Sequence, residues 1–201
     1  MPRSRKSIAP LHFLPVYDRE TGDVTVVIET PRGSRNKYKY DPSCGALRLA
    51  AVLGEGFAFP HDFGFVPSTL GADGDQLDIL LFLDHGVPPG SIATARLIGV
   101  LEIRQRKAKE AKAKPAWIRN DRFIAAATHA HDHQELKTLD DLRPHLLDEL
   151  EAFFVDYAGL EGKTLEVLGR KGPRRAHKLL KAGARLFRSK VGTKSGNKGA
   201  K

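Results

Sequence analysis

Three carboxylates at the mouth of an apolar run constrain this chain more than anything else in it. The stretch from Phe57 to Asp84 reads FAFPHDFGFVPSTLGADGDQLDILLFLD, with Asp73, Asp75 and Asp78 inside six residues and Gly74 between the first two. Leu77 and Ile79 to Leu83 follow at once and predict a buried strand. Carboxylates gathered there repel one another and are costly to desolvate. They call for a cation, and a hard divalent ion that takes oxygen ligands fits. The competing reading is a solvated Asp73-Gly74-Asp75 turn, since Asp and Gly favour turns without any ligand. This stretch alone leaves the two readings even. An EF-hand is excluded, because its loop wants an acid and then Gly where this chain has Leu77 and Asp78.

A chain of 201 residues holds one substantial core. The expected organisation is a single domain over 1–190 and a disordered basic tail over 191–201. No apolar run approaches the ~20 residues of a membrane span, and MPRSRKSIAPLHFLP lacks the apolar block of a cleaved signal. Cys44 is alone, so no internal disulfide can form and a cytoplasmic setting is expected. The net charge of +9 is unevenly placed: residues 168–201 carry 12 Lys or Arg and no acid, which leaves 21 basic against 24 acidic residues elsewhere. The body is mildly acidic. The basic end has only Phe187 among its cations, so nucleic-acid binding is not indicated and a solubilising, partly helical tail is expected.

Val24–Glu29 is β-branched and predicts a strand. Lys37–Tyr40 alternates cation and aromatic as a half-exposed strand does, and pairs as a hairpin with Ala46–Leu53 across the turn at Asp41–Gly45. Ile92–Ile103 predicts a strand in which Gly99 marks a bulge or tight bend. Lys107–Lys114 reads as a solvated loop or hairpin tip, and Phe123–Ala127 as strand. Thr138 to Asp141 resembles a capping box, and Leu142 to Tyr157 recurs at helical spacing with Pro144 near its start. Thr164–Leu168 is a short strand, and Pro173 opens a helix with Ala176, Leu179, Leu180, Ala184 and Phe187 on one stripe. Short strands followed by a long helix predict an α+β fold, a small barrel with helices packed on its flank. His129, His131 and His133 would share one face if extended and could take Zn²⁺ or Ni²⁺, but a solvated loop is the expected reading.

The pieces VVIETPRGSRNKYKYD, GALRL, FPHDFGFVPSTL, DGDQLDILLFL, PGSIATARLIGVLE, NDRFIAAA and the helix with FFVDY, over roughly residues 24–168, resemble the soluble family I inorganic pyrophosphatases. The resemblance implies a closed five-stranded OB-like barrel and Mg²⁺-dependent hydrolysis of pyrophosphate to two phosphates by metal-activated water. It implies Asp73 and Asp78 as metal ligands, Asp75 as the acceptor of the water's proton, and Glu29 in the outer metal and substrate shell. It also implies Lys37, Arg122 and Tyr157 as phosphate-binding groups, a cytoplasmic homo-oligomer, and a small-molecule substrate with no membrane partner. Taken without it, Lys37 and Lys39 read as exposed strand charges and Tyr157 as core.

Several positions depart from that pattern: Lys39 for Glu, Ala51 for Arg, Phe59 and Phe63 for Tyr, Gln105 and Asn120 for acids, Arg122 and Ala158 at Lys positions. Fewer ions are then expected, held by Asp73, Asp78 and either Asn120 or Asp121, with Asn serving through its carbonyl oxygen. The alternatives are hydrolysis of another phosphoanhydride, or binding of phosphate-rich ligands without turnover.

Overall fold

The computed structural model describes residues 9–107 and 116–196, with side chains to Val191. Strand β1 (Val24–Thr30) is buried along its whole length. It pairs antiparallel with β4 (Asp62–Val66), which pairs antiparallel with β5 (Leu77–Phe82). The parallel neighbour of β5 is β8 (Arg122–Ala127), with Asp78 opposite Arg122. β8 lies antiparallel to β6 (Ile92–Lys107), and the first residues of β6 return to β1 in the register Val24 to Ala95 and Val27 to Ile92. Five strands thus close on themselves, as a small barrel requires.

Strands β2 (Asn36–Asp41) and β3 (Ala46–Val52) form the expected hairpin as a separate two-stranded sheet. The far end of β6 carries β7 (Ile118–Arg119) and β9 (Lys163–Lys171). Lys107 ends β6, and the remainder of the lysine-rich insertion lies outside the described residues.

The apolar run of β5 is continuous because both its faces are covered. Leu80 and Phe82 pack with Phe63, Ile124 and helix α1 (Leu146–Leu160), while Ile79 and Leu81 pack with Val26, Ile28, Phe123 and helix α2 (Pro173–Gly196). Gly99 sits at a register shift between β6 and β8, where a Cβ would meet Leu139 at 2.4 Å.

Two helix boundaries differ from expectation. The Thr138 capping box forms, but it caps a short 3₁₀ turn, Leu139–Asp141, and not α1. Pro144 disfavours helical backbone at Arg143, Leu142 is extended, and His145 is left-handed at φ 67°, so α1 starts only at Leu146. At the other end α2 runs to Gly196, past the Val191 at which a disordered tail was expected. A helix already nucleated on the buried Ala176 and Leu180 gains one hydrogen bond per residue it adds. Among the described residues no helix is long and apolar enough to cross a membrane.

Candidate active site

The Asp73-Gly74-Asp75 segment is a turn. Gly74 takes φ +93°, where a side chain would be strained, and the Asp75 N–H donates to Asp73 Oδ1 at 3.2 Å. The turn faces a cavity whose wall also includes Asp78, Glu29, Lys37, Asn120, Arg122 and Tyr157. A turn and a place in the cavity wall are therefore compatible. Burial raises the carboxyls of both Asp73 and Asp78; the Asp78 charge adds to the shift at Asp73, and Arg122 and Lys37 pull against it at Asp78.

Each of the other candidates reaches the cavity by local geometry. Lys37 and Lys39 lie two apart on β2, so they share one face of the hairpin. Lys37 Nζ lies 4.8 Å from the Tyr157 ring centroid, a cation over an aromatic face. Arg122, at 5 % exposure, packs against the Phe63 and Phe154 rings, its guanidinium carbon 5.8 and 5.4 Å from their centroids. Its Nη1 donates to Asp78 Oδ2, to the Asn120 side-chain Oδ1 and to the Asn120 backbone carbonyl, the last at 3.0 Å, while its buried Nε has no partner among the described residues.

Asp121 does not join the site. Its carboxylate accepts from the Ile103 N–H at 2.9 Å and pairs with Arg119 at 2.8 Å. Arg119 also meets Glu102, which Arg175 of α2 reaches at 2.7 Å. In an extended segment residues 120 and 122 point one way and 121 the other. Of the pair Asn120 or Asp121, the cavity has Asn120.

The three aspartates line one cavity but do not form a cage. Asp75 Oδ2 is held by Lys39 Nζ at 2.6 Å, and Asp78 by Arg122. Among the described residues no three His, Cys, Asp or Glu side chains are arranged to hold a metal ion, and this includes the histidines at 129, 131 and 133, which lie in turns. The donor set of Asp73, Asp78, Glu29 and the Asn120 side chain is all oxygen and suits a hard cation. It fits an ion shared with substrate, since Mg²⁺ is commonly held by one or two carboxylates plus substrate phosphates.

Similarity to known proteins agrees with this geometry. The sequence pattern of the family described as inorganic pyrophosphatase matches residues 26–188. The chain belongs to the inorganic pyrophosphatase family. It is 37% identical to an inorganic pyrophosphatase of Thermus thermophilus over 165 residues, covering 81% of this chain and 89% of that one. It is 36% identical to one of Synechocystis over 152 residues, 76% and 84% of the two chains. The fold superposes on the Thermus thermophilus inorganic pyrophosphatase crystal structure with a TM-score of 0.79 at 32% identity, covering 90% of this chain and 99% of that one.

Of the positions at which this family member departs from the pattern, Lys39, Phe63, Gln105, Asn120, Arg122 and Ala158 line the cavity. Phe59 lies behind it against the Phe63, Phe153 and Tyr157 rings, and Ala51 stands opposite Lys37 across the hairpin.

Two functional candidates were not anticipated, Glu161 and Lys163. Tyr157 and Glu161 are four apart at the end of α1, a spacing that places their side chains together, and this was the signal available. The Tyr157 hydroxyl donates to Glu161 Oε1 at 2.5 Å. Burial raises the Tyr157 pKa and the Glu161 carboxylate raises it further.

Glu29 accepts the Tyr40 N–H at 2.6 Å. Burial pushes its carboxyl up to about 7, with the Tyr40 hydrogen bond opposing and the Asp78 charge adding to the shift. The folded chain therefore keeps this proton where the unfolded chain, at the ordinary 4.5, has released it. This group withdraws stability as pH rises from 4.5 to about 7, and the loss is complete above that. Glu29→Gln is expected to flatten that descent when urea midpoints are compared with wild type across the window. Parallel curves for the two proteins would contradict the burial argument.

Proposed function

We propose that this chain hydrolyses inorganic pyrophosphate to two phosphates with Mg²⁺ as its ion, in the cytoplasm. The observation that carries the reading is one cavity wall shared by Asp73, Asp75, Asp78, Lys37, Arg122 and Tyr157. Pyrophosphate is a small, dense polyanion, and its hydrolysis moves charge onto the departing phosphate, so cations positioned beforehand lower the barrier. Lys37 and Arg122 supply two of them. Arg122 is the stronger, because its site is dry and a guanidinium can meet phosphate through two donors. Tyr157 stays protonated and donates. Asp75, on the turn and half exposed, takes the proton of the attacking water.

Asp73 and Asp78, with Asn120 and Glu29, would hold the ion. Mg²⁺ bound there supplies Lewis acidity, neutralising phosphoryl charge and acidifying water. A homo-oligomer belongs to the same proposal, and the exposed apolar Leu49 and Val52 on β3 support it.

Phosphate release from pyrophosphate is expected to require Mg²⁺ and to stop on chelation. Because the ion is shared with substrate, Mg²⁺ and phosphate together are expected to raise Tm by more than the sum of their separate shifts. Simple additivity would point to separate sites. The Lys39–Asp75 pair favours a second reading, a polyanion binder without turnover, for which phosphate would stabilise the fold while pyrophosphate yields no product. A panel of phosphoanhydrides tests whether another member of that class is the better substrate.

A further inference from the structure

We infer that Glu161 is a built-in competitor for phosphate, its carboxylate standing in an anion subsite made by Lys37, Lys163 and Tyr157. Three donors converge on it. Oε1 accepts from Lys37 Nζ at 2.9 Å and from the Tyr157 hydroxyl at 2.5 Å, and Oε2 accepts from Lys163 Nζ at 2.7 Å. All four residues line the same cavity as the three aspartates and Arg122. Two ammonium groups and a hydroxyl around one small planar anion are the donors that a phosphoryl group takes.

Helix stability does not explain the placement. Glu161 is the C-terminal cap of α1, the end at which a negative side chain opposes the helix dipole. Its three partners hold it there. Burial alone would raise its carboxyl, yet the hydrogen bonds from Lys163, Tyr157 and Lys37 hold it down to about 2. The side chain keeps 22% exposure, so an outward path to solvent exists. Gly162, at φ +69°, turns the chain straight into β9, which fixes Lys163 beside it.

With Glu161 in place the subsite carries one net positive charge, and with it turned out, two. A phosphate must displace the carboxylate on entry, and the carboxylate returns as phosphate leaves. The device weakens phosphate retention, which favours release of product after turnover. This rests on the phosphate-binding reading of the cavity.

The test is inorganic phosphate binding by calorimetry, which needs no turnover, in wild type, Glu161→Gln and Glu161→Asp. Glutamine keeps the shape and loses the charge, so about tenfold tighter phosphate is expected, in line with one charged hydrogen bond no longer in competition. A fall in KM for pyrophosphate should accompany it, and aspartate should stay close to wild type. Weaker or unchanged phosphate binding in Glu161→Gln would overturn the inference and make Glu161 a positioning residue for Lys37 and Tyr157. A crystal structure of the wild type with phosphate decides independently of any variant. Phosphate on Lys37, Lys163 and Tyr157 with Glu161 turned away supports the inference, and Glu161 still bridging all three overturns it. If Glu161→Gln binds phosphate tighter but no protein turns over pyrophosphate, the hydrolase reading fails and the competitor stands. If turnover is intact and phosphate affinity is unchanged, the reverse holds.

Discussion

Replacing Asp75 by asparagine is expected to lower kcat for pyrophosphate by about 10²–10⁴-fold, the span that a positioned general base contributes. Asparagine keeps the shape of the turn and can still accept the Lys39 hydrogen bond, but it cannot take a proton. KM should fall, because the substitution removes a negative charge that faces the polyanion and leaves Lys39 in the cavity wall without its counter-charge. Stability should hardly change. The Lys39–Asp75 pair is about half exposed on both sides, 49% and 52%, and pairs of that kind contribute about 0–1 kcal/mol. Activity and folding are therefore separable at this position, which is not so at Asp78, where removing the charge strands the buried Arg122. An Asp75→Asn protein with parental kcat would remove the base from the mechanism. The binding assignments of Lys37 and Arg122 would be untouched by that result.

The legible regions of this molecule were those in which neighbours in sequence are neighbours in space. β5 could be read from its apolar run, the turn from Asp-Gly-Asp, and the α2 stripe from its period. β4 could not. Its five residues DFGFV are all buried, so no alternation marks them, and a Gly in the middle argues against a strand. The start of α1 was obscured because leucines at helical spacing continue upstream of Pro144, where the backbone cannot follow. Asn120 and Asp121 differ in role by one step of a pleat, which composition does not reveal. The Lys39–Asp75 pair joins residues 36 apart in the chain, and nothing local to either announces the other. That pair and Arg122–Asp78 explain why three carboxylates that look like a cage form none: the chain supplies two of the cations itself.

The largest effect on the fold is expected at a glycine with no catalytic role. Gly64 in β4 stands opposite Ile28 of β1, and a Cβ there would lie 1.9 Å from the Val27 carbonyl oxygen and 2.9 Å from the Ile28 Cα. Every atom it meets is backbone, so no rotamer change relieves the contact. β1 cannot back away, because its other edge is already closed on β6 by the pairs from Val24 to Val27. Gly64→Ala must therefore push neighbouring strands of a closed sheet apart, at a cost above the roughly 1–3 kcal/mol of ordinary overpacking. Set against a total stability of about 5–15 kcal/mol, the expected outcome is little soluble, cooperatively folding protein. Gly99→Ala is the control. There the nearest atoms to the added carbon are the Cγ and both methyls of the Leu139 side chain, at 2.4 to 2.7 Å, and not backbone, so Leu139 can shift at the cost of repacking and a folded protein weakened by about 1–3 kcal/mol is expected in urea titration. A Gly64→Ala protein that melts near the parent would mean that β1 and β4 can separate without loss of the fold. The cavity could not then be rigid, since β1 brings Glu29 to it and β4 brings Phe63 and Phe65.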